Sequence, residues 1–459
     1  MMMSIHEAAH AIAARVQGAD VGFSGVSTDS RTIAAGELFV ALKGDNFDGH
    51  AYVSDVLARG AAGAMVDQEF AAAHPDLPLI CVTDTRLALG ALAAHWRGRF
   101  AIPLIGVTGS NGKTTVKEMC AAILRVHHGD APDSILTTIG NLNNDIGLPM
   151  TLLRLRDSHR AAVIEMGMNH AGEIDYLARI AQPSVALVNN AQRAHLEGLG
   201  SVQDVALAKG EIFAGLDADG VAVFNADDAQ VDFWRELSRD RRQLSFGLEQ
   251  PADVRGRFAS HGLGGELNLV TPWGEIDVTL VVPGSHNARN ACAAATATLA
   301  AGASPEAVRQ GLTGFAGIKG RLQRRTGLKG ALVVDDSYNA NPDSMRAAID
   351  VLASVPGKRI LVMGDMGEAG AAAGQFHDEI GGYAKSHGID RLLCLGEMSL
   401  AAAANFGEGG QHFLRHDELV KTLLAELDPQ TTVLVKGSRF MRMERVVGAI
   451  VDEGVSNAA

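Results

Sequence analysis

The stretch GVTGSNGKTT, residues 106–115, predicts a phosphate-binding loop between an apolar strand and a helix. The usual pattern for such a loop, G-x-x-x-x-G-K-[ST], places a glycine at position 107, where this chain has a valine. The physical requirements are still met, because Gly109 and Gly112 permit the turns that aim backbone N–H groups at phosphate oxygens. Lys113 can reach the β- and γ-phosphates, and Thr114 can ligate Mg²⁺ at the start of the helix. The stretch therefore predicts nucleotide binding and leaves a motor, a switch, a kinase and a ligase open.

Composition and charge exclude several classes of protein. The 459 residues predict two to four domains, and 47% hydrophobic and 20% charged residues are typical of a soluble globular protein. A net charge of −13 without a cluster of Lys and Arg argues against a nucleic-acid partner. No apolar run approaches the ~20 residues of a membrane span, and the N-terminus does not resemble a signal peptide. The four cysteines are far apart in sequence, so we expect reduced thiols in a cytoplasmic enzyme.

The chain divides into three segments with different patterns of strand-like and helical runs, which predict three domains and an α/β fold. Residues 1–100 hold short strand-like runs such as GELFVAL and AGAMV, which predict a small N-terminal α/β domain. Residues 101–318 contain the phosphate loop and further strand candidates, which predict a central P-loop ATPase domain with a mostly parallel sheet; the TPWGE turn predicts an added hairpin. Residues 319–459 alternate apolar runs with helical patterns and predict a C-terminal Rossmann-like, doubly wound domain.

The sequence HEAAH, residues 6–10, matches the H-E-x-x-H signature of zinc metalloproteases. Two histidines four residues apart on a helix share a face, as zinc requires. The chain has 16 histidines, so the risk of a chance match is real, and a helix so close to the terminus makes a poor substrate cleft. The apolar positions nearby form an ordinary packing face, which consists of Ile5, Ala9, Ile12, Ala13 and Val16. We interpret this segment as a packing helix with His6 and His10 at its edge.

Three further side chains lie at or just beyond predicted strand ends of the central segment. Glu165 ends the run AAVIEMG, His195 follows another strand in NNAQRAHLEGLGS, and Lys209 lies in the helical stretch VALAKGEIF. Singly they could be a strand-end acid, a surface histidine and a solvated lysine. Together they bring a carboxylate, an imidazole and a lysine to the edge of a P-loop sheet, where active sites gather.

With these residues in place, the whole chain resembles the Mur ligase family. In the first segment the resemblance rests on STDSR and FVALKGDNFDGH, and in the second on GVTGSNGKTTVKEM, GNLNNDIGLPMTLL, EMGMNHAGEI, NNAQRAHLEGLGS and AKGEIF. It continues through PGSHNARNACAA, GRLQ, DDSYNANPDSM, VMGDMGE and VKGSRFMRME. The family loop reads T-G-x-N-G-K-T, so the resemblance accounts for the valine at position 107.

The resemblance implies an ATP-dependent amide ligase. The terminal carboxylate of UDP-N-acetylmuramoyl-tripeptide would attack the γ-phosphate to give an acyl phosphate, and the amine of D-alanyl-D-alanine would displace phosphate through a tetrahedral intermediate. The protein must then mainly position the reactants and neutralise charge. The resemblance further implies two Mg²⁺ ions, a carbamylated Lys209 that acts as a carboxylate-like metal ligand, and a monomer.

The resemblance also implies the site residues. The catalytic residues would be Lys113, Lys209, His195 and Arg321. The ATP-binding residues would be Thr108, Gly109, Ser110, Asn111, Gly112, Lys113, Thr114, Asn290 at adenine, Arg321 at the γ-phosphate and Asp336 at the ribose. The metal ligands would be Thr114, Glu165, His195 and Lys209. The substrate-binding residues would be Ser30, Arg31, Lys43, Gly44, Asn46, Asp48 and His50 for uridine diphosphate, Asn143, Asn144 and Asp145 for the muramoyl-peptide, and Tyr338, Asn339, Asn341, Lys436 and Ser438 for the third reactant.

Alternative functions stay open at this point. A sister ligase would add the third, diamino residue of the peptide, but the sequence contains no Asp-Asn-Pro-Arg type motif of the kind that enzyme usually shows. A ligase that adds glutamate to folate would lack the STDSR and LKGDNFDGH segments. A non-catalytic P-loop protein would not need Glu165, His195 and Lys209 together, and a metalloprotease rests on HEAAH alone. Because nucleotide-binding groups come from the second and third segments, catalysis is expected to need domain closure.

Overall fold

The computed structural model describes residues 1–193, 199–367 and 372–452. Three α/β units follow one another along the chain, built on sheets of five, nine and six strands. This arrangement confirms the predicted fold class of three α/β domains. The proposed boundaries at 100/101 and 318/319 fall between these sheets, which lie within residues 15–82, 104–280 and 323–436.

The first unit presents the carboxyl ends of four parallel strands at one edge of its sheet. Its strands are β1 (Met3–Ser4), β2 (Arg15–Gln17), β3 (Gly22–Phe23), β4 (Val26–Ser27), β5 (Leu38–Val40), β6 (Lys43–Gly44), β7 (Phe47–Asp48), β8 (Gly63–Asp67) and β9 (Leu79–Val82). Its α-helices are Ile5–Ala11, Val53–Ala58, Gln68–Ala73 and Thr85–Arg97. The sheet order is β2-β9-β8-β5-β4, with β2 antiparallel and the others parallel. Loops that follow parallel strands therefore meet at one edge.

The N-terminal helix is shorter than the packing face proposed from the sequence. It spans Ile5–Ala11, begins at the Ser4 cap and buries Ile5 and Ala9, as predicted. The prediction that Ala13 belongs to the same face is wrong, because this residue is exposed and has a φ of 52° outside the helix. His6 and His10 are both exposed, so their position agrees with a packing helix that carries them at its edge.

The second unit has a long sheet that is parallel on one side and antiparallel on the other. Its strands are β10 (Leu104–Thr108), β11 (Ile135–Thr137), β12 (Ala161–Glu165), β13 (Val185–Val188), β14 (Val221–Asn225), β15 (Arg242–Gly247), β16 (Val254–His261), β17 (Gly264–Thr271) and β18 (Gly274–Leu280). Its α-helices are Lys113–His127, Gly147–Leu152, Glu173–Ala181, Val202–Gly210, Val231–Leu237, Ser285–Ala300 and Pro305–Thr313. The order is β11-β12-β10-β13-β14-β15-β16-β17-β18. The hairpin predicted from TPWGE is confirmed as β17–β18, which extends an antiparallel run from β16.

The helix after the phosphate loop packs as its sequence pattern predicts. Every residue of β10 is buried, and the helix Lys113–His127 lies against the sheet. Its apolar face is completely covered and consists of Val116, Met119, Cys120, Ile123 and Leu124. Burial on both faces explains why β10 is a continuous apolar run rather than an alternating one.

The third unit is a doubly wound sheet with one antiparallel edge. Its strands are β19 (Gln323–Thr326), β20 (Leu332–Asp336), β21 (Lys358–Gly364), β22 (Arg391–Leu395), β23 (Gly410–Phe413) and β24 (Thr431–Lys436), in the order β19-β20-β24-β21-β22-β23. Its α-helices are Pro342–Ala353, Ala373–Ser386, Leu400–Phe406, His416–Glu426 and Glu444–Ile450. The apolar runs predicted in this segment, ALVVDDS, KRILVMGD, RLLCLGE and TTVLVKGS, correspond to β20, β21, β22 and β24. The edge strands β19 and β23 are short and half-exposed, so they carry no apolar run to reveal them.

Two expectations from composition can be compared with the structure. All four cysteines are free, as predicted, and all four are buried. Among the described residues, no helix combines the length and apolar character needed to cross a membrane.

Candidate active site

The phosphate loop leads from β10 into the helix Lys113–His127 through a glycine with no room for a side chain. Gly112 has a φ of +80°, in the left-handed region. A Cβ atom there would lie 2.5 Å from Asn290 Oδ1 and 2.6 Å from Asn189 Nδ2. Glycine is therefore required by both backbone conformation and space, and the loop packs directly against an asparagine predicted to lie at adenine.

A layer of amides at the end of β13 holds the loop in shape. The Asn111 N–H donates to Asn190 Oδ1 at 2.8 Å, and Asn189 Nδ2 donates to the Asn111 carbonyl at 2.9 Å. The Asn111 side chain donates to Gln192 Oε1 at 2.6 Å. The sequence interpretation missed Asn189, Asn190 and Gln192 as supports of the loop. Their signal was the pair of asparagines that ends the buried run VALVNN, at the edge where parallel strands finish.

The Lys113 side chain folds back over the loop. Its Nζ donates to the carbonyl oxygens of Gly109 at 2.7 Å and Ser110 at 3.3 Å. Thr108, at the start of the loop, is completely buried and donates from Oγ1 to the Met166 carbonyl at 2.9 Å. The side chain of Thr108 therefore supports the loop, whereas the Lys113 ammonium lies over the loop carbonyls, beside the cavity.

The Thr114 hydroxyl is the meeting point of three groups. It donates to Glu165 Oε2 at 2.9 Å and accepts from Arg321 Nη2 of the third unit at 3.0 Å. The other carboxylate oxygen of Glu165 accepts from Asn143 Nδ2 at 2.8 Å. The Arg321 guanidinium also lies 4.4 Å from the centre of the Tyr338 ring. A hydroxyl, a carboxylate and an arginine from two units thus converge beside the phosphate loop.

Lys209 is fully buried beside this cluster, and its Nζ makes no hydrogen bond. Burial lowers the pKa of Lys209 well below its ordinary value, and the charge of Lys113 lowers it further, while Glu165 opposes the shift. A buried ammonium without a hydrogen-bond partner is costly, so burial favours the neutral amine over the charged form. A neutral amine is the form that reacts with CO₂, so this environment suits a carbamate.

The third unit contributes a buried ion pair to the same region. Lys436 Nζ lies 2.6 Å from Asp336 Oδ2 and also donates to the Asn339 carbonyl at 2.9 Å. The other oxygen of Asp336 accepts from the Leu322 N–H at 3.1 Å. Burial raises the pKa of Asp336, and Lys436 opposes that shift. Asp336 is thus held in place by protein groups at the end of β20.

A single cavity of about 1850 Å³ joins these groups. Its lining includes residues of the phosphate loop, the Glu165 carboxylate and the loops that follow β20 and β24. From the first unit it includes Arg86 and Leu87, at the start of the helix Thr85–Arg97. A cavity of this size between units can hold a nucleotide together with a second substrate.

Comparison with known proteins agrees with this geometry. The Mur ligase family catalytic domain matches residues 22–97, the Mur ligase middle domain residues 107–298, and the Mur ligase glutamate ligase domain residues 320–439. A relative from Escherichia coli named UDP-N-acetylmuramoyl-tripeptide–D-alanyl-D-alanine ligase is 44% identical over 96% of each chain. The chain belongs to the Mur ligase family.

Solved structures of Mur ligases resemble this chain over nearly its whole length. MurF from Acinetobacter baumannii superposes with a TM-score of 0.89 at 36% identity and covers 97% of this chain and 98% of its own. MurF from Thermotoga maritima in complex with ADP gives a TM-score of 0.81 at 26% identity, with 93% and 96% covered. A diaminopimelate-adding sister ligase and a folylpolyglutamate synthase from Mycobacterium tuberculosis, at 19% and 18% identity, share the fold with TM-scores of 0.57 and 0.64.

Most residues predicted for this Mur ligase from the second and third units lie together. The cavity lining contains Ser110, Asn111, Gly112, Lys113, Thr114, Asn143, Asn144, Asp145, Glu165, Asn290, Arg321, Asp336, Tyr338, Asn339, Asn341, Lys436 and Ser438. Asn341 reaches the loop directly, because its Nδ2 donates to Asn111 Oδ1 at 2.8 Å. Lys209 lies behind the wall rather than in it. His195 lies outside the described residues.

The residues predicted for uridine diphosphate form a separate group in the first unit. They are Ser30, Arg31, Lys43, Gly44, Asn46, Asp48 and His50, all in segments that follow β4 or β5. The structure therefore brings them to one sheet edge, but they do not line the central cavity.

Within this first-unit group, Arg31 and His50 differ sharply. Arg31 pairs with Asp29 at 2.7 Å, but its side chain is exposed and therefore accessible to a ligand. His50 is buried: its Nδ1 donates to Asp48 Oδ1 at 2.7 Å and its Nε2 accepts from the Asp67 N–H at 3.1 Å. Both ring nitrogens are occupied, so His50 is better placed to support the β6–β7 hairpin than to touch a substrate.

Two arginines that link the units were missed by the sequence interpretation. Arg86 of the first unit donates from Nη2 to Asp145 Oδ1 at 2.8 Å. Arg193 of the second unit lies 2.6 Å from Asp343 of the third. Arg193 lies within the quoted stretch NNAQRAHLEGLGS, whereas Arg86 lies in none of the quoted motifs. Each pairs with a residue far away in sequence, so no local pattern indicated these pairs.

The structure contains part of the predicted metal site. Thr114 and Glu165 are in contact, and Lys209 is buried near them. Within residues 1–193, 199–367 and 372–452, no three His, Cys, Asp or Glu side chains form a ready metal cluster. The donors that are described, a hydroxyl and a carboxylate, are oxygen ligands of the kind Mg²⁺ prefers.

Proposed function

We propose that this Mur ligase joins D-alanyl-D-alanine to UDP-N-acetylmuramoyl-tripeptide with hydrolysis of ATP to ADP and phosphate. The observation that carries the proposal is the Thr114 hydroxyl, which contacts Glu165 of the second unit and Arg321 of the third. This contact brings a candidate metal carboxylate and a candidate phosphate-binding arginine to the same loop. The name of the E. coli relative, at 44% identity over 96% of the chain, supports the choice of substrates.

The proposed chemistry matches the charges around the cavity. The peptide carboxylate attacks the γ-phosphorus of ATP, the bond to the β,γ-bridging oxygen breaks, and ADP leaves. Lys113 and Arg321 would bind the transferred phosphoryl group and offset its negative charge. The amine of the dipeptide then attacks the acyl carbon, loses a proton, and phosphate leaves. The protein's contribution is to hold three reactants in line in a cavity large enough for them.

Mg²⁺ fits the donors near the loop. Thr114, Glu165, His195 and Lys209 as a carbamate would hold it, and two ions are proposed. When bound, Mg²⁺ would neutralise phosphate charge during the transfer. The buried, unbonded Nζ of Lys209 supports the carbamate, because addition of CO₂ with loss of a proton turns an unpaired amine into an anionic oxygen ligand.

The roles of the remaining site residues are also proposals. Asn290 would contact adenine and Asp336 the ribose. Asn143, Asn144 and Asp145 would face the muramoyl-peptide, and Tyr338, Asn339, Asn341, Lys436 and Ser438 would border D-alanyl-D-alanine. Uridine diphosphate would bind at the edge formed by Ser30, Arg31, Lys43, Gly44, Asn46 and Asp48. We further propose that the enzyme is a cytoplasmic monomer.

The direct test is phosphate release by the purified protein with ATP, Mg²⁺ and the UDP-muramoyl-tripeptide. We expect release to require D-alanyl-D-alanine, and Lys113→Ala to lower the rate by about 10²–10³-fold. Release that is independent of the dipeptide would overturn the proposal. If phosphate were released instead with a diamino acid and the UDP-muramoyl-dipeptide, the enzyme would be the sister ligase that adds the third residue. A panel of tripeptides ending in diaminopimelate or lysine would define the acceptor.

The stability of Lys209→Met tests the proposed state of the buried amine. Between the lowered pKa and the ordinary value of 10.5, the unfolded chain carries a proton on Lys209 that the folded chain lacks. The free energy of unfolding therefore rises with pH in this range, and at pH 7 the amine destabilises the fold. With Mg²⁺ and all substrates present, we expect Lys209→Met to be inactive. In CO₂-free buffer without Mg²⁺, we expect it to melt a few degrees higher than the wild type and its stability to depend less on pH. A lower melting temperature would contradict the assignment.

A further inference from the structure

The helix after the phosphate loop contains a second fully buried lysine, Lys117. Its side chain is 2% exposed, yet it lies on the same helix as Lys113, one turn further on. Its Nζ donates to the Thr138 carbonyl at 2.6 Å and lies 2.8 Å from Glu118 Oε1. Lys117 is not among the residues that line the cavity, so it does not touch bound reactants.

The Lys117 contact continues to the candidate metal carboxylate. Thr138, which directly follows β11, is 1% exposed, and its Oγ1 accepts from the Glu165 N–H at 2.9 Å. The carboxylate of Glu165 in turn accepts from Thr114 at 2.9 Å. The phosphate-loop helix therefore holds Glu165 twice, directly through Thr114 and indirectly through Lys117 and Thr138.

Thr138 also begins the segment that is proposed to hold the muramoyl-peptide. The same segment continues to Asn143, whose Nδ2 donates to Glu165 Oε1 at 2.8 Å, and then to Asn144 and Asp145. Between these ends the segment is exposed, since Ile139 is 56% and Leu142 43% accessible to solvent. An exposed segment needs a fixed base if Asn143 is to stay in contact with Glu165, and Lys117 Nζ donates a hydrogen bond to that base.

We propose that Lys117 is a positioning residue for Mg²⁺ binding, acting through Thr138 on the main chain of Glu165. The inference rests on the proposed function, because it assumes that Glu165 is a metal ligand. Partners that orient a metal ligand from behind are typically worth about 10- to 100-fold in metal affinity or activity. Loss of the Lys117 contact would release the base of the segment and let Glu165 move away from Thr114.

The experiment measures binding of ATP by calorimetry at a series of Mg²⁺ concentrations, without peptide substrates. We expect Lys117→Met to bind Mg²⁺-free ATP as the wild type does, because the phosphate loop is intact. We expect the Mg²⁺ concentration that gives half-maximal enhancement of ATP binding to rise about tenfold or more. Lys329→Met is the matched control, since Lys329 Nζ donates to the Leu424 carbonyl at 2.6 Å in an exposed part of the third unit.

Thr138 supplies a second pair of variants if Lys117→Met does not fold. Thr138→Val keeps the shape but removes the oxygen that accepts from Glu165, whereas Thr138→Ser keeps that oxygen. We expect the valine variant to need more Mg²⁺ and the serine variant to behave as the wild type. The inference would be overturned if both Thr138 variants and the wild type required the same Mg²⁺ concentration. It would also be overturned if Lys117→Met lost ATP binding equally with and without Mg²⁺.

The same assay separates failure of this inference from failure of the proposed function. If the wild type binds Mg²⁺ and ATP but Lys117→Met and Thr138→Val match it, the role of Lys117 is wrong and the ligase proposal stands. If the wild type binds Mg²⁺ and ATP but releases no phosphate with the tripeptide and D-alanyl-D-alanine, the ligase proposal is wrong, while the Mg²⁺ titration still decides the role of Lys117.

Discussion

The first and second units share one hydrophobic cluster, whereas the second and third units meet mainly through charged and amide side chains. Apolar residues from both sides of the first junction are completely buried in that cluster, including Leu89 and Leu92 on the helix Thr85–Arg97 and Leu148 and Leu177 in the second unit. Two polar contacts reinforce it. Trp96 Nε1 donates to the Leu155 carbonyl at 3.2 Å, and the buried Arg97 donates to the Ala181 carbonyl at 3.0 Å.

The second junction has little apolar contact. Among the described residues of the second unit, Leu263 alone belongs to the hydrophobic cluster of the third. The rest of the contact includes Arg193 with Asp343 and Glu379, and Asn111 with Asn341. Water can replace polar contacts of this kind when they separate, but it cannot replace buried apolar area without a large loss of free energy.

The difference predicts which junction moves. The first and second units should behave as one body, and the third should open and close on it during the reaction. Closure matters because Arg321 reaches Thr114 only across the second junction. The domain closure expected from the sequence stays a prediction, and the two junctions indicate where to look for it.

The largest expected effect is the loss of stability in Trp96→Ala. The variant removes a large side chain from the shared cluster and a hydrogen bond across the first junction, so we expect the free energy of unfolding to fall by about 3–5 kcal/mol. Urea denaturation followed by circular dichroism measures this fall. Trp273→Ala, at the half-exposed β17–β18 turn, is the control and should change little. Wild-type stability in Trp96→Ala would mean that the first junction is not a structural core.

A substitution at the second junction should lower activity more than it lowers stability. Arg193 Nε and Nη2 donate to Asp343 Oδ1 at 3.0 and 2.6 Å, but both side chains are partly exposed. We expect Arg193→Ala to lower kcat about tenfold, equivalent to ~1.4 kcal/mol in the barrier, and to change the free energy of unfolding by less than about 1 kcal/mol. Phosphate release and urea denaturation measure the two effects.

Charge reversal gives this second prediction a sharper test. Arg193→Asp and Asp343→Arg should each reduce kcat, and the double variant should recover part of the loss because an ion pair forms again. Arg309→Ala breaks a surface pair with Glu306 within one helix and is the control. If the double variant were as impaired as the sum of the single variants, the pair would not hold the units together.

Sequence reasoning succeeded for features set by local pattern. The phosphate loop, the strand that ends in Glu165 and the apolar face of the following helix all follow from periodicity and glycine placement. The alternative that Lys209 is solvated was wrong, because the residue is completely buried. Its helix packs into the shared cluster through Val205, Ala206 and Ala208, and the charged residues nearby in sequence gave no sign of this burial. The pairing of Arg193 with Asp343, 150 residues apart, depends on how two units are placed, and no local pattern encodes that.

A smaller effect is expected from salt. Raising ionic strength from 0.1 to 1 M shortens the Debye length from ~10 to ~3 Å and weakens partly exposed ion pairs. We expect kcat/KM to fall about two- to threefold in the wild type, and the urea midpoint of the first two units to stay the same or rise. Arg193→Ala, which already lacks the pair, should lose less activity over the same range. An equal loss in both proteins would assign the salt effect to substrate binding instead of closure.

The last prediction concerns the distances between the units, and one energy-transfer experiment compares the two junctions. The four native cysteines are buried, so cysteines introduced at exposed positions can be labelled selectively with fluorophores. Asp76→Cys with Asp219→Cys spans the first junction, and Asp219→Cys with Ala404→Cys spans the second. Addition of ATP, Mg²⁺ and the UDP-muramoyl-tripeptide should leave energy transfer in the first pair unchanged and raise it in the second, because only the polar junction can open at small cost. Unchanged transfer in both pairs would mean that the third unit stays closed without substrates. A change in the first pair would show that the shared cluster does not hold the first two units as one body.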